Sequence, residues 1–262
     1  MIILKKLRYF TKNELLLWSI SCLFIILSFL LFDREKYMTF IASLIGVTSL
    51  IFNAKGNPIG QILMVIFSVF YGIISYRFQY YGEMVTYLGM TAPMAIFAFI
   101  SWITHPYQGN HAEVAVNQIR KKEFVFLLFL SAVVTYIFYY ILKYFHTDQL
   151  LLSTISVTTS FIAVYLTARR SPYFAIAYAA NDIVLIVLWI LASIHDPSCI
   201  SVVTCFVIFL LNDIYGFINW KKIQKKDLLN KVKRNFKNFQ LNLRTPTRPA
   251  LKVSVYVLLG II

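Results

Sequence analysis

The chain has 262 residues, of which 59% are hydrophobic and only 14% charged, with a mean hydropathy of +0.70 and a formal net charge of +14. Soluble domains average about half apolar and roughly a quarter charged, so a water-soluble globular domain is excluded. The positive charge would suit nucleic acid, but it is confined to short gaps between apolar runs and to the C-terminal tail, which is the distribution of an integral membrane protein.

Eight segments approach or exceed the ~20 apolar residues that a bilayer crossing needs. They run over 14–32, 37–53, 58–76, 82–104, 123–145, 150–167, 173–194 and 199–220. The basic start (Lys5, Lys6, Arg8, Lys12) fits a secretory signal, but the apolar run after it is long and lacks a small-residue cleavage site, so a retained first helix is expected. Eight spans put both termini on one side. That side then carries 21 Lys and Arg residues and the other only Arg34, Lys36, Arg77 and Lys143. Cytoplasmic loops collect positive charge, so both termini are expected in the cytoplasm.

The second to fourth spans match the sixth to eighth. Lys55 and Arg169 each follow a span and Pro58 and Pro172 each open the next, at a common offset of 114; Trp102 and Trp220 each close a third span, at an offset of 118. The expected fold is an all-α integral membrane protein of eight transmembrane helices. An N-terminal basic segment and extra helix (1–36) precedes a first three-helix repeat (37–104). A cytosolic loop and linker helix (105–149) leads to a second, parallel three-helix repeat (150–220), followed by a basic cytosolic tail (221–262). An odd linker helix keeps the two repeats in one orientation, and substrate then binds between them. The tail begins KKIQKKDLLNKVKRNFKNF, with apolar residues at helical spacing, and reads as a solvated helix near the anionic inner leaflet. The last stretch, LKVSVYVLLGII, is too short to span and has no assigned role.

No catalytic constellation stands out, so an enzyme is not expected. His105, His111, His146 and His195 fall in loops without a second ligand at helical spacing, which leaves no metal site and no cofactor. Cys22, Cys199 and Cys205 form no CxxC pair and read as packing residues. Glu83 sits at an external helix end, where an acidic first turn complements the helix dipole, and no two carboxylates are placed for acid–base work.

What remains is a polar and aromatic layer. The seventh and eighth spans each carry one Asn-Asp pair, Asn181-Asp182 and Asn212-Asp213, each about eight residues from the basic side. At 1.5 Å per residue both amides lie roughly 12 Å deep. Phe174, Tyr178 and Trp189 share a broad face with Asn181, and Tyr215 follows Asn212 by three. The plain reading is interhelical glue, since membrane helices commonly bond through Asn and Thr. The common depth favours a pocket, with amides reading ring substituents or ribose hydroxyls and aromatics stacking on a flat ring. Asp182 and Asp213 read either as a proton or cation relay or as partners for a Tyr hydroxyl. The hydroxyl-rich sixth span (Ser153, Thr154, Ser156, Thr158, Thr159, Ser160) packs through small residues and edges that pocket.

YGEMVTYLGMTAPM, AYAANDIVLIVLW and LLNDIYGFINWKK, on the fourth, seventh and eighth spans, together resemble the PnuC family of nicotinamide riboside transporters, over roughly residues 38–222. The resemblance implies the 3+1+3 helix plan of SWEET-type carriers, uptake by facilitated diffusion, and a homotrimer. It assigns cargo contact to Asn181, Trp189 and Asn212, with Phe174 keeping an aromatic where the family often has Trp. Pro93 and Met94 match; Ala177 stands where a Trp is typical and Ala95 where a Gln is typical. A pocket short of one indole and one amide leaves thiamine or a deoxynucleoside as alternative cargo. A non-transporting membrane assembly protein is the alternative class. The expected partners are thus a nucleoside-like vitamin and the lipid bilayer, the residues to contact cargo are Asn181, Asn212, Trp189, Phe174, Tyr178, Tyr215 and Asp182, and no coupling ion is needed.

Overall fold

In the computed structural model, residues 9–244 are described. All eight expected spans are helices long and apolar enough to cross a membrane. They are α1 (Lys12–Phe32), α2 (Tyr37–Ala54), α3 (Ile59–Arg77), a fourth span made of α4 (Tyr81–Thr86), a π-helical turn (Tyr87–Thr91) and α5 (Ala92–Thr104), then α6 (Lys121–Tyr144), α7 (Leu150–Ala168), α8 (Phe174–Ser193) and α9 (Ile200–Arg244). A short antiparallel hairpin, β1 (Pro106–Tyr107) with β2 (Asn110–Val114), lies in the long connection on the basic side. The protein is an all-α integral membrane protein. Its outward helix faces expose Leu, Ile, Val and Phe, as lipid-facing surfaces do.

Local chemistry explains the helix ends. Thr11 caps α1 in a reciprocal box: its hydroxyl accepts from Glu14 N–H, while the Thr11 N–H donates to Glu14 Oε2 at 2.7 Å. Helices α2 and α7 close in the same way. Asn57 N–H reaches back to Phe52 O and Ser171 N–H to Leu166 O, with a left-handed residue between, Gly56 (φ 69°) and Arg170 (φ 58°). At Gly56 the left-handed backbone suits glycine, and a Cβ there would also stand 3.2 Å from Val114 Cγ1. Arg170 adopts that conformation without a glycine's freedom.

The π turn has a cause in the sequence as well. Pro93, at the start of α5, has no N–H to donate to the preceding turn, and the ladder accommodates the gap by widening. Such single π turns recur at functional sites.

Two pairs of bonds tie the helix bundle together at its basic end. Trp102 Nε1 donates to Thr167 O and Trp220 Nε1 to Asn53 O; Ser101 Oγ donates to Ala168 O and Asn219 Nδ2 to Ala54 O. Each indole thus satisfies a carbonyl at the open C-terminus of another helix.

The chain divides into two units, 1–224 and 225–262. In the second, the described residues continue α9 to Arg244, with Leu228, Leu229, Val232 and Phe236 exposed at helical spacing among basic residues. The apolar stretch at 251–262 lies outside the described residues.

Candidate functional site: an enclosed polar and aromatic cavity

Helix α8 places Asn181 and Asp182 in the interior, 2% and 4% exposed. Asn181 Oδ1 is gripped from α7, accepting from Thr159 Oγ1 at 2.8 Å, Ser160 Oγ at 3.0 Å and Ser156 Oγ at 3.2 Å. The expectation that the hydroxyl-rich span edges a pocket is met here. Asn181, Asp182 and Tyr178 line a small cavity with Ser160 of α7, Tyr87 and Thr91 of the π turn, and Asp213 of α9. Its apolar walls come from Leu50, Met64, Phe67, Phe206 and Phe209. A Cβ on Gly46 of α2 would fall 2.2 Å from the Phe209 ring, so only glycine lets that wall close.

The cavity measures about 20 Å³, room for about one water molecule. Aromatic rings seal it at both ends. On the side opposite the basic loops, Trp189 donates its Nε1 to Tyr71 OH at 2.6 Å and meets Phe78 and Tyr80 edge to face. Tyr71 in turn touches the cavity residues Phe67, Tyr87 and Phe206. On the basic side, Phe174 packs on Tyr178, Trp102 and Trp220. The site is occluded in this conformation.

A second, open cleft of about 510 Å³ lies beyond the Trp189 seal, among Lys36, Tyr37, Arg77, Phe78 and Asp196. The Lys36 ammonium, hydrogen-bonded to Asp196 at 2.8 Å, holds that carboxyl down at about 2. Lys36 also sits 4.6 Å over the Phe78 ring. This cleft is larger, and the Lys36–Asp196 pair in its wall is open to solvent. Phe78 links it by ring contact to Trp189, which suits a mouth rather than a binding site.

The sequence-based site separates into three groups. Asn181, Asp182 and Tyr178 line the cavity. Trp189 and Phe174 stand in its two seals rather than against its lumen. Asn212 and Tyr215 are a correction, because the structure turns both away from it. Asn212 Nδ2 donates to Ser21 Oγ of α1 at 3.0 Å and to Ile208 O of its own helix, while Tyr215 OH donates to Glu14 of α1 at 3.2 Å. Equal depth did not mean equal direction. The residue of the second pair that does enter is Asp213, one position on and about 100° further round the helix.

A second correction concerns carboxylates. Asp182 and Asp213 both border the cavity, so two carboxyl groups do converge on the layer. Glu83 is in the first turn of α4 as expected, but it is wholly buried rather than at a surface. Its Oε2 accepts from Ser156 Oγ at 3.4 Å, and its Oε1 has no partner. Ser156 thereby stands between Glu83 and Asn181. Tyr87 and Thr91 were missed as individual residues, although both fall in the fourth-span stretch singled out for its pattern. Phe67 and Phe206 gave no sign among so many apolar neighbours. Ala95 and Ala177 stay within the packed interior, as a core residue and beside the Phe174 cluster.

An eight-span helical membrane protein with an enclosed polar and aromatic cavity part-way through the bilayer has the build of a membrane transporter for a small solute. The chain belongs to the nicotinamide mononucleotide transporter family, which matches residues 36–222. It is similar to the nicotinamide riboside transporter PnuC of Neisseria mucosa, at 26% identity over 74% of this chain and 76% of that one. It is also similar to the nicotinamide riboside transporter PnuC of Haemophilus influenzae, at 21% identity over 73% of this chain and 82% of that one. The crystal structure of the vitamin B3 transporter PnuC has the same fold, with a TM-score of 0.75 at 23% identity over 83% of this chain and 94% of that one.

Proposed function

We propose that this chain carries nicotinamide riboside into the cell by facilitated diffusion, with cytosolic phosphorylation trapping the cargo for NAD synthesis. The observation that carries the reading is the chemistry of the cavity wall. Asn181, Ser160 and Thr91 offer hydrogen-bonding groups for amide and ribose, Phe67, Tyr87 and Tyr178 offer faces for a flat ring, and no Lys, Arg or His lies among the described lining residues. A nucleotide's phosphate would meet two carboxyl groups and no cation, whereas the uncharged ribose of a nucleoside meets no such repulsion. The family's name mentions the mononucleotide and its named relatives the riboside; this wall supports the riboside.

In this reading Asn181, Asp182 and Tyr178 touch cargo, while Trp189 and Phe174 belong to gates that open alternately. Asn181's oxygen is held by hydroxyls, so its amide N–H groups meet the cargo. Both termini lie in the cytoplasm of a bacterial inner membrane, as the basic residues suggest. Residues 37–104 and 150–220 act as the two moving three-helix repeats of a SWEET-like carrier, a division supported by the matched Trp102–Thr167 and Trp220–Asn53 bonds. The carrier works as a homotrimer and needs no cofactor or coupling ion.

Calorimetry on the purified protein tests the cargo directly, with nicotinamide riboside, nicotinamide mononucleotide, thiamine and deoxynucleosides as the panel. Heat from the riboside with none from the mononucleotide is expected. Binding of thiamine or a deoxynucleoside alone reassigns the carrier, and binding of none overturns the vitamin reading. Uptake into vesicles is expected to continue at an unchanged initial rate when a proton ionophore is added.

A further inference from the structure

Two carboxyl groups meet at the cavity wall, Asp182 from α8 and Asp213 from α9, both 5% exposed or less. Two like charges on one buried wall repel each other, and an opposite charge arriving between them favours the ionised form of both. Among the described residues, the titratable groups beside the pair are Tyr178 of α8 and Tyr87 of the fourth span on the same cavity wall, with Cys205 of α9 near Asp182, and none supplies positive charge. Helix association alone does not call for this arrangement, since Ser, Thr or Asn would join α8 to α9 without burying a charge.

Two further atoms point to an absent ligand. Asp182 Oδ2 and Thr91 Oγ1 are buried without any hydrogen-bond partner, and both residues line the cavity. Buried acceptors left this way are costly unless something polar arrives to meet them. Phe67, Tyr87, Phe206 and Phe209 line the same space, and aromatic rings attract cations.

We propose that Asp182 and Asp213 together form a subsite for positive charge, by which the carrier selects a cationic N-ribosyl aromatic ring over a neutral ring of the same shape. This deepens the function proposed above and rests on it. Nicotinamide riboside carries a fixed positive charge at its ring nitrogen, because the glycosidic bond makes that nitrogen quaternary. Both carboxyl groups border the space that such a cation would enter. Reduction of the ring to its dihydro form removes the charge and keeps the ribose and the carboxamide.

The test compares binding of nicotinamide riboside and its dihydro form to the purified full chain, in sodium and in choline buffers. The wild type is expected to favour the cationic form by on the order of 10- to 100-fold, as one opposite charge nearby in a low-dielectric site provides. Asp182→Asn or Asp213→Asn alone leaves one carboxylate on the wall and should shrink the preference, while the double Asn variant leaves none and should erase it. Asp213→Glu, which keeps the charge, should retain it. Equal wild-type affinity for the two forms overturns the proposal and leaves the cargo assignment standing. A preference that persists in the double Asn variant, or one that exists only with sodium present, also overturns it. Binding of neither form removes the cargo assignment and the proposal with it. Because the wild-type comparison decides on its own, an Asn variant that fails to fold does not shelter the idea.

Discussion

The two Asn-Asp pairs occupy the same depth on α8 and α9 and behave oppositely. In the first, Asn181 faces the cavity and three hydroxyls of α7 hold its oxygen. In the second, Asn212 turns outward to Ser21 of α1, and only Asp213 reaches the cavity. A dipeptide and a depth therefore do not define a role; the neighbour on the far side does. Helix α8 has α7 beside it, rich in hydroxyls, whereas α9 has α1 beside it, where Ser21, Ser28 and Glu14 are engaged by α9 through Asn212, Thr204 and Tyr215. The extra N-terminal helix is what makes the pairs unequal.

The largest expected effect comes from loosening that helix. Glu14 is 2% exposed and holds Lys55 Nζ at 3.0 Å, so Glu14→Ala leaves the largely buried ammonium without its partner. Breaking a buried pair costs about 3–5 kcal/mol. Glu123 and Arg169 form the comparable pair at the start of α6, but there the Arg side chain is 45% exposed. Pairs open to solvent contribute about 0–1 kcal/mol, so Glu123→Ala should barely matter. Thermal unfolding in detergent should show a clear fall for the first variant and little change for the second. Equal shifts would mean that α1 is no more firmly anchored than α6, and the account of why Asn212 points outward would fail.

The eight spans were legible in the sequence because the bilayer imposes a length and a hydropathy that any helix must meet; observed and expected bounds differ by two residues or fewer at every end except the last. That exception follows from the same physics. Past Trp220 the basic, amphipathic stretch is no longer a spanning sequence, but nothing in it, neither glycine nor proline, stops the helix before Arg244. Rotation about each helix axis was not legible. In a span that is apolar on nearly every side, the sequence carries little to separate a lipid face from a buried one, so Asn212 could be placed in depth but not in direction. The meeting of Asp182 with Asp213 depends on the rotations of two helices at once. Ser156, Thr159 and Ser160 were easier, because clustered hydroxyls are scarce in such a chain and mark the interior wherever they fall.

Next in size is Asn181→Leu. Leucine is close to asparagine in volume and inserts well in lipid, so the protein should still fold. Thr159 retains bonds to Ile155 O and Ser156 O within its own helix, which limits the damage to α7. What disappears is the amide that meets the cargo. Leaving polar cargo atoms unpaired costs about 1–3 kcal/mol, a fall in affinity of roughly 5- to 150-fold. Transport in vesicles should fall to background while oligomer size and expression stay normal. Wild-type affinity in this variant would place the cargo elsewhere.

The smallest effect is expected for Asn212→Leu, although the sequence alone makes it a twin of Asn181→Leu. Asn212 Nδ2 shares its donors between Ser21 Oγ and the carbonyl of Ile208, and its Oδ1 is buried without a partner. Contacts of this kind between membrane helices average about 0.6 kcal/mol. The Ile208 carbonyl keeps its place in the helix ladder, and Ser21 can turn its hydroxyl to a carbonyl of its own helix, so little is left stranded. Removing an amide oxygen that has no partner even offsets part of the loss, since a buried unpaired acceptor is itself unfavourable. Unfolding temperature should therefore change slightly, and affinity for nicotinamide riboside should stay within about twofold of wild type. Measured beside Asn181→Leu, this variant decides the comparison. If both lose binding together, Asn212 turns inward in the binding conformation, and the outward bond to Ser21 belongs only to the occluded state.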